Sequence, residues 1–353
     1  MSSWFKAAVL SMPGYVSPPQ QNFRVKLNQN ESPFDVPMKI KRELAEKAVE
    51  LSWNRYPVNE SPLLAQKLGE RHGLGAENIL LGNGSNQLFQ TLLTAALEPN
   101  ETVVYTVPTF SLYELYTAVY GGRSITVPKP PGEPYPLDRV LEAIRRLRPK
   151  LVYLCSPNNP TGEEIELAHV REICFAAEGL VLFDEAYAEF TDQTAVDLLP
   201  VCRNLIVSRT FSKAFSFAGL RFGYFIAAAE VIAELRKVNL PYNINLFTEA
   251  AALRLLDSEK EMLQRIDYIL QERERLYQEL CRFKQLLVYP SKANFLLLKP
   301  QTNLNLFLAL KERGVLVRDV GSYPLLSGCV RVTVGLREEN DLFLSVLKSV
   351  LEG

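Results

Sequence analysis

Histidine and cysteine are scarce in this chain. Two histidines, His72 and His169, and five cysteines, Cys155, Cys174, Cys202, Cys281 and Cys329, are spread over 353 residues. No two cysteines form a Cys-x-x-Cys pair and their number is odd, so neither a disulfide framework nor a zinc site is expected. An excess of one charge is also missing. Lys+Arg is 39 against 40 Asp+Glu, a net −1, which argues against a nucleic-acid face or a polybasic membrane patch. No apolar run reaches the ~18 residues of a membrane span. Met1-Ser-Ser-Trp-Phe-Lys6 lacks the basic-then-apolar layout of a signal peptide. Together these absences predict a soluble, reducing, cytoplasmic setting.

Hydrophobic residues make up 47% of the chain, enough for a sizeable core. The length suggests one large and one smaller domain. Residues 1–34 are rich in Pro, Asn and Gln and read as an extended arm. Asp35 is placed as the cap of a helix with Pro37 in its first turn, followed by a Pro-punctuated loop around Tyr56-Pro57 and Ser61-Pro62. Strands and helices then alternate: strands at 79–81, 102–106, 151–155, 180–183, 205–208 and 222–226, with Ser85 capping the helix after the first. The runs Val-Tyr-Leu, Leu-Val-Leu-Phe and Leu-Ile-Val are apolar at every position, as strands covered on both faces are. The expected fold is α/β, a mostly parallel seven-stranded sheet covered by helices, with a smaller α+β domain. The large domain is expected at 36–280, and the small one from the arm, 1–35, together with 281–353.

Open α/β sheets bind ligands beyond the carboxyl ends of their strands. There this chain places Ser156-Pro-Asn-Asn-Pro-Thr-Gly162, Asp184-Glu-Ala-Tyr187 and Thr210-Phe-Ser-Lys-Ala-Phe-Ser-Phe-Ala-Gly-Leu-Arg221. The Gly82-Asn-Gly-Ser85 turn opens a helix whose free N–H groups favour an anion. One sheet edge thus gathers a carboxylate, an amide, a phenol, a lysine, an arginine and an anion cradle. Pyridoxal phosphate needs this set. Lys213 can form a Schiff base with its aldehyde, and Asp184 can keep its pyridine nitrogen protonated. Asn159 and Tyr187 can donate to its ring oxygen. Gly84, Ser85, Asn86, Thr210, Ser212 and Arg221 can hold its phosphate. Each motif alone has a plain reading as a turn, a strand-end cap or a basic loop. Gly82-Asn-Gly84-Ser-Asn-Gln87 lacks the third glycine of a dinucleotide fingerprint.

The same segments, with Leu27-Asn-Gln-Asn-Glu-Ser-Pro33, Arg55-Tyr-Pro57, Pro108-Thr-Phe-Ser-Leu-Tyr113, Gly314-Val-Leu-Val-Arg318 and Arg331-Val-Thr-Val-Gly-Leu-Arg337, carry a resemblance. Over nearly its whole length the chain resembles the fold-type-I, aspartate-aminotransferase-like enzymes that use pyridoxal phosphate, and among them the histidinol-phosphate aminotransferases. The resemblance implies that Lys213 moves the substrate proton, that Phe110 stacks on the cofactor ring, and that Tyr56 reaches the cofactor phosphate of the other subunit in a homodimer. It also implies that Arg331 clamps the substrate anion, with Asn159, Arg318 and Tyr15 assisting. The reaction implied is histidinol phosphate plus 2-oxoglutarate giving imidazole-acetol phosphate plus glutamate, in histidine biosynthesis. Aromatic amino-acid transamination and threonine-phosphate decarboxylation stand as alternatives on the same frame. The family usually has Gly-Ser-Asp-Glu where this chain has Gly84-Ser-Asn-Gln87, Asn-Glu-Asn-Pro where it has Asn30-Glu-Ser-Pro33, and Gly-Leu where it has Ser216-Phe217. These departures bear on substrate identity more than on reaction type. The 35-residue arm is too short and patternless for a helix-turn-helix reader of DNA.

Overall fold

The computed structural model describes residues 4–12 and 22–352. After a short helix at Ala7–Ser11 and strand β1 (Val25–Lys26), the chain builds a seven-stranded sheet. Its strands are β2 (Ile79–Gly82), β3 (Thr102–Val107), β4 (Arg123–Pro128), β5 (Leu151–Cys155), β6 (Leu180–Asp184), β7 (Leu205–Thr210) and β8 (Gly223–Ala227). In space they run β2-β8-β7-β6-β5-β3-β4. All neighbours are parallel except β8, which is antiparallel to both β2 and β7. Along β5, Val152 and Leu154 enter one apolar cluster while Leu151, Tyr153 and Cys155 enter another on the opposite face. That period-two division, with both faces dry, is why the strand is apolar at every position.

Beyond the sheet comes a four-stranded antiparallel sheet of β9 (Leu286–Tyr289), β10 (Phe295–Pro300), β12 (Arg318–Asp319) and β13 (Val330–Thr333), ordered β12-β13-β10-β9. Strand β11 (Val315–Leu316) pairs in parallel with β1, and this returns the N-terminal segment to the C-terminal region. Val25 and Leu27 share a cluster with Phe343 and Leu347 of the last helix, Arg337–Glu352. The helix Glu259–Leu280 joins the two regions: Met262, Ile266 and Ile269 lie in the core of the large sheet, Leu276 and Leu280 in that of the small one.

Several elements depart from expectation. β4 is an edge strand that alternates polar and apolar residues, with only Val127 buried, so it lacks the all-apolar run of the central strands. The Pro-punctuated loop contains a helix, Pro62–Arg71, with Pro62 in its first turn, where a missing N–H costs nothing. Asp35 does not cap the next helix. That position is Pro37, and the Asp35 carboxylate instead accepts from the Val36 N–H at 2.7 Å and pairs with Lys41. Ser85 is the first helical residue rather than the cap. Gly84 caps, at φ +71. Among the described residues no helix is long and apolar enough to cross a membrane.

Candidate active site

The parallel strands β5, β6 and β7 end side by side, and a cavity of about 540 Å³ opens at their carboxyl edge. Asn159, Asp184, Tyr187, Thr210, Ser212, Lys213 and Arg221 line it from the large sheet, with Ser85, Asn86 and Phe110 beside them. Arg318 and Arg331 close it from the small sheet. Tyr56 is elsewhere: it is 81% exposed and stacks on Tyr242 at 4.7 Å. Tyr15 lies outside the described residues.

Asp184 sits at the buried end of β6. Its Oδ2 accepts from the Tyr113 hydroxyl at 2.8 Å, while Oδ1 is buried and, among the described residues, meets no donor in good geometry beyond the nearby Ala186 backbone N–H. Burial lifts its pKa to about 6, partly opposed by the Tyr113 hydrogen bond. An ionised carboxylate in so dry a place wants a cationic N–H. The next residue, Glu185, is equally buried and accepts from the Ala195 N–H at 2.5 Å. It also pairs with Arg209 at 2.6 Å. Arg209 further reaches Glu189 at 3.1 Å, so an ion network holds the ends of β6 and β7.

Lys213 lies in a twelve-residue excursion between β7 and β8. The Phe211 N–H donates to the Phe222 carbonyl at 3.0 Å across its neck. Burial, followed by the nearby Arg331 guanidinium, brings the Lys213 pKa down to about 8, with Glu31 opposing. Its Nζ donates to the Gln29 carbonyl at 2.9 Å. Such an amine is partly neutral near pH 7, as a nucleophile and proton carrier must be.

An anion cradle lies beside it. The Ser212 N–H donates to Thr210 Oγ1 at 3.1 Å, and Arg221 Nη1 to Ser212 Oγ at 3.3 Å. The helix Ser85–Ala96 points its free N–H groups here. Space is tight. A Cβ on Gly84 would stand 2.6 Å from Arg221 Nη2, and one on Gly223 2.5 Å from the Ser85 nitrogen. Glycine at both positions lets backbone and guanidinium converge on one point. Across the cavity, Arg331 Nη1 donates to Asn159 Oδ1 at 2.5 Å and Nη2 to the Asn28 carbonyl at 2.9 Å.

Sequence reasoning missed two residues here. Tyr113 was visible only as part of a motif, and its hydroxyl meets a carboxylate 71 positions away. Asn30, buried in the N-terminal segment, donates from Nδ2 to the Tyr187 hydroxyl at 2.8 Å. Asn30 too was visible only as part of a motif, Leu27–Pro33; its left-handed backbone (φ +53) sets it apart there.

The buried Asp184 oxygen, the depressed lysine and the crowded anion cradle fit a phosphorylated pyridine aldehyde in chemistry and position. Comparisons with known proteins agree. The family model for aminotransferase class I and II matches residues 24–347. The histidinol-phosphate aminotransferase of Ruminiclostridium cellulolyticum is 37% identical over 337 residues, 94% of this chain and 94% of that protein. That of Thermoanaerobacter pseudethanolicus is 38% identical, covering 93% of each. The crystal structure of histidinol-phosphate aminotransferase from Sinorhizobium meliloti in complex with pyridoxal-5′-phosphate superposes with a TM-score of 0.90 at 25% identity. It covers 99% of this chain and 98% of that one. A family match over most of the chain, on a fold and a cavity built for this cofactor, means that the protein belongs to the class I and II aminotransferases, which work with pyridoxal phosphate.

Proposed function

We propose that this aminotransferase takes its amino group from histidinol phosphate and passes it to 2-oxoglutarate, giving imidazole-acetol phosphate and glutamate in histidine biosynthesis. One observation carries the choice of a phosphorylated donor over an aromatic amino acid. Arg318 on β12 and Arg331 on β13 are direct cross-strand partners, and both line the cavity. Like charges placed opposite each other on a sheet repel. A doubly charged phosphate between them offsets that repulsion better than a single carboxylate, and guanidinium forks match either anion. The relatives' activity points the same way.

When bound, pyridoxal phosphate supplies an aldehyde that receives the amino group and a protonated ring that withdraws electrons from the carbon losing its proton. Lys213 would bond the aldehyde, and once displaced by substrate its near-neutral amine would carry the proton to and from the substrate α-carbon. Asp184 Oδ1 would hold the pyridine N–H. Asn159 and Tyr187 would donate to the ring oxygen, and Phe110 would cover the ring face. Thr210, Ser212, Arg221 and the backbone at Gly84, Ser85 and Asn86 would hold the phosphate. Arg331, with Asn159, Arg318 and Tyr15, would orient the substrate anion.

The working unit is read as a homodimer in the cytoplasm. Tyr56 supports this: it stands outside its own cavity, stacked on Tyr242, and its chain neighbours Trp53 and Val58, with Leu240 beside Tyr242 in sequence, are also exposed. Such exposed apolar side chains fit a second copy, whose cofactor phosphate Tyr56 would reach. The division into a large domain, 36–280, and a small one, 1–35 with 281–353, belongs to the same reading.

Single-turnover spectroscopy of the pyridoxal form tests the donor, with histidinol phosphate, phenylalanine, tyrosine and threonine phosphate compared. Histidinol phosphate should convert the cofactor fastest. Equal rates with phenylalanine would overturn the assignment, and release of CO₂ from threonine phosphate would point to a decarboxylase.

A further inference from the structure

Three consecutive residues after β1 touch three working groups. The Asn28 carbonyl accepts from Arg331 and the Gln29 carbonyl from Lys213, while Asn30 Nδ2 donates to the Tyr187 hydroxyl. The last contact has a fixed sense. Thr333 Oγ1 accepts from the Asn30 backbone N–H at 3.0 Å and donates its proton to Asn30 Oδ1 at 3.2 Å. The amide is thereby keyed, oxygen toward Thr333 and nitrogen toward Tyr187. Asn294 Nδ2 donates to the Asn30 carbonyl at 3.1 Å and braces the segment. The Tyr187 oxygen is therefore an acceptor on the Asn30 side, and its own proton is free to point into the cavity that it lines.

We propose that Asn30 is a positioning residue that commits the Tyr187 phenol to donate into the cavity, and that Thr333 ties this commitment to the strand carrying Arg331. The inference rests on the reading that Tyr187 faces the ring oxygen of the cofactor. A donor at that oxygen spreads its negative charge, so the proton it shares with the Lys213 nitrogen leaves at lower pH. If the phenol is turned away, that proton is held to higher pH.

The test is the pH midpoint of the visible absorbance change of the holoenzyme. Tyr187→Phe should raise the midpoint by about one to two pH units, the value of a hydrogen bond to a charged group. Asn30→Asp preserves shape and tolerates the left-handed backbone. Its carboxylate draws the Tyr187 proton toward itself, so it should raise the midpoint by about one unit more when Tyr187 is present than in the Tyr187→Phe background. Any direct effect of the new charge appears equally in both backgrounds and cancels. Thr333→Val, neutral and isosteric, unlocks the amide and should give a smaller upward shift that also vanishes with Tyr187→Phe. Equal shifts in both backgrounds would overturn the role of Asn30 and leave Tyr187 in place. A silent Tyr187→Phe would overturn both the reading beneath and the inference built on it.

Discussion

Asp184 should weaken the cofactor-free protein that carries it. The residue is 4% exposed, and burial raises its pKa from 3.8 to about 6. A carboxyl group whose pKa is raised by folding contributes its full stability below the unfolded value, where it is protonated in both states. That contribution is lost as pH climbs through the folded value. The gap of ~2 pH units corresponds to ~3 kcal/mol once the group is fully ionised, of which ~2 kcal/mol falls between pH 4.5 and 8. An amide in its place would be neutral throughout, of the same shape, and able to accept the Tyr113 proton. The stability of Asp184→Asn relative to the unaltered chain should therefore improve by ~2 kcal/mol from pH 4.5 to pH 8. Urea unfolding of both cofactor-free proteins at the two pH values measures this. With cofactor present the comparison reverses. An amide cannot keep the pyridine nitrogen protonated, and turnover should fall by about a hundredfold or more. A stability difference that does not change with pH would refute the reasoning, because the carboxylate would then already be compensated without its cofactor.

Three other outcomes follow from the site. The rate at which cofactor-free protein takes up pyridoxal phosphate should rise about tenfold per pH unit below 8 and level off above it, since only the neutral Lys213 amine attacks. Arg331→Gln removes a cation that depresses that pKa and should move the break upward, whereas a break near 10 in the unaltered protein would contradict the burial argument. Tyr113→Phe keeps the ring packed on Tyr105, Phe110 and Tyr153 but removes the bond to Asp184. Turnover should drop roughly ten- to a hundredfold at unchanged cofactor content, and unchanged turnover would detach Tyr113 from the chemistry. Mixing subunits of Tyr56→Ala with subunits of Lys213→Ala should restore about a quarter of full activity, because one site of each hybrid dimer is intact. No recovery would mean that Tyr56 serves its own subunit.

The sequence disclosed what depends on local pattern. β5, β6 and β7 were legible because both faces of each are dry, and the motifs at their ends fall together because parallel strands end on one edge. β4 was missed because its short alternation, Ser124-Ile-Thr-Val127, lacks the all-apolar run that marks its neighbours. Pro62 hid a helix that it in fact begins. The harder losses were pairings across the chain. Nothing near Tyr113 announces a carboxylate on β6, and nothing near Asn30 announces Tyr187, 157 positions away. Of the arm, the resemblance gave a site role to Tyr15 alone, whereas the contacts to Arg331, Lys213 and Tyr187 come from Asn28, Gln29 and Asn30, in a motif it matched without assigning them.

The neck of the Lys213 excursion has a consequence for how the cavity can open. Thr210 and Gly223 are paired residues of adjacent antiparallel strands, so both ends of the loop are stitched into the interior of the sheet. Releasing the lysine would require unzipping central strands, among the costliest local openings a domain has. Amide hydrogens at Phe211 and Gly223 should thus exchange on the timescale of global unfolding. Those of β12, the edge strand of the small sheet, should exchange far sooner. The lysine is then the fixed point of the cavity, held by two interior strands of the sheet rather than by its own loop.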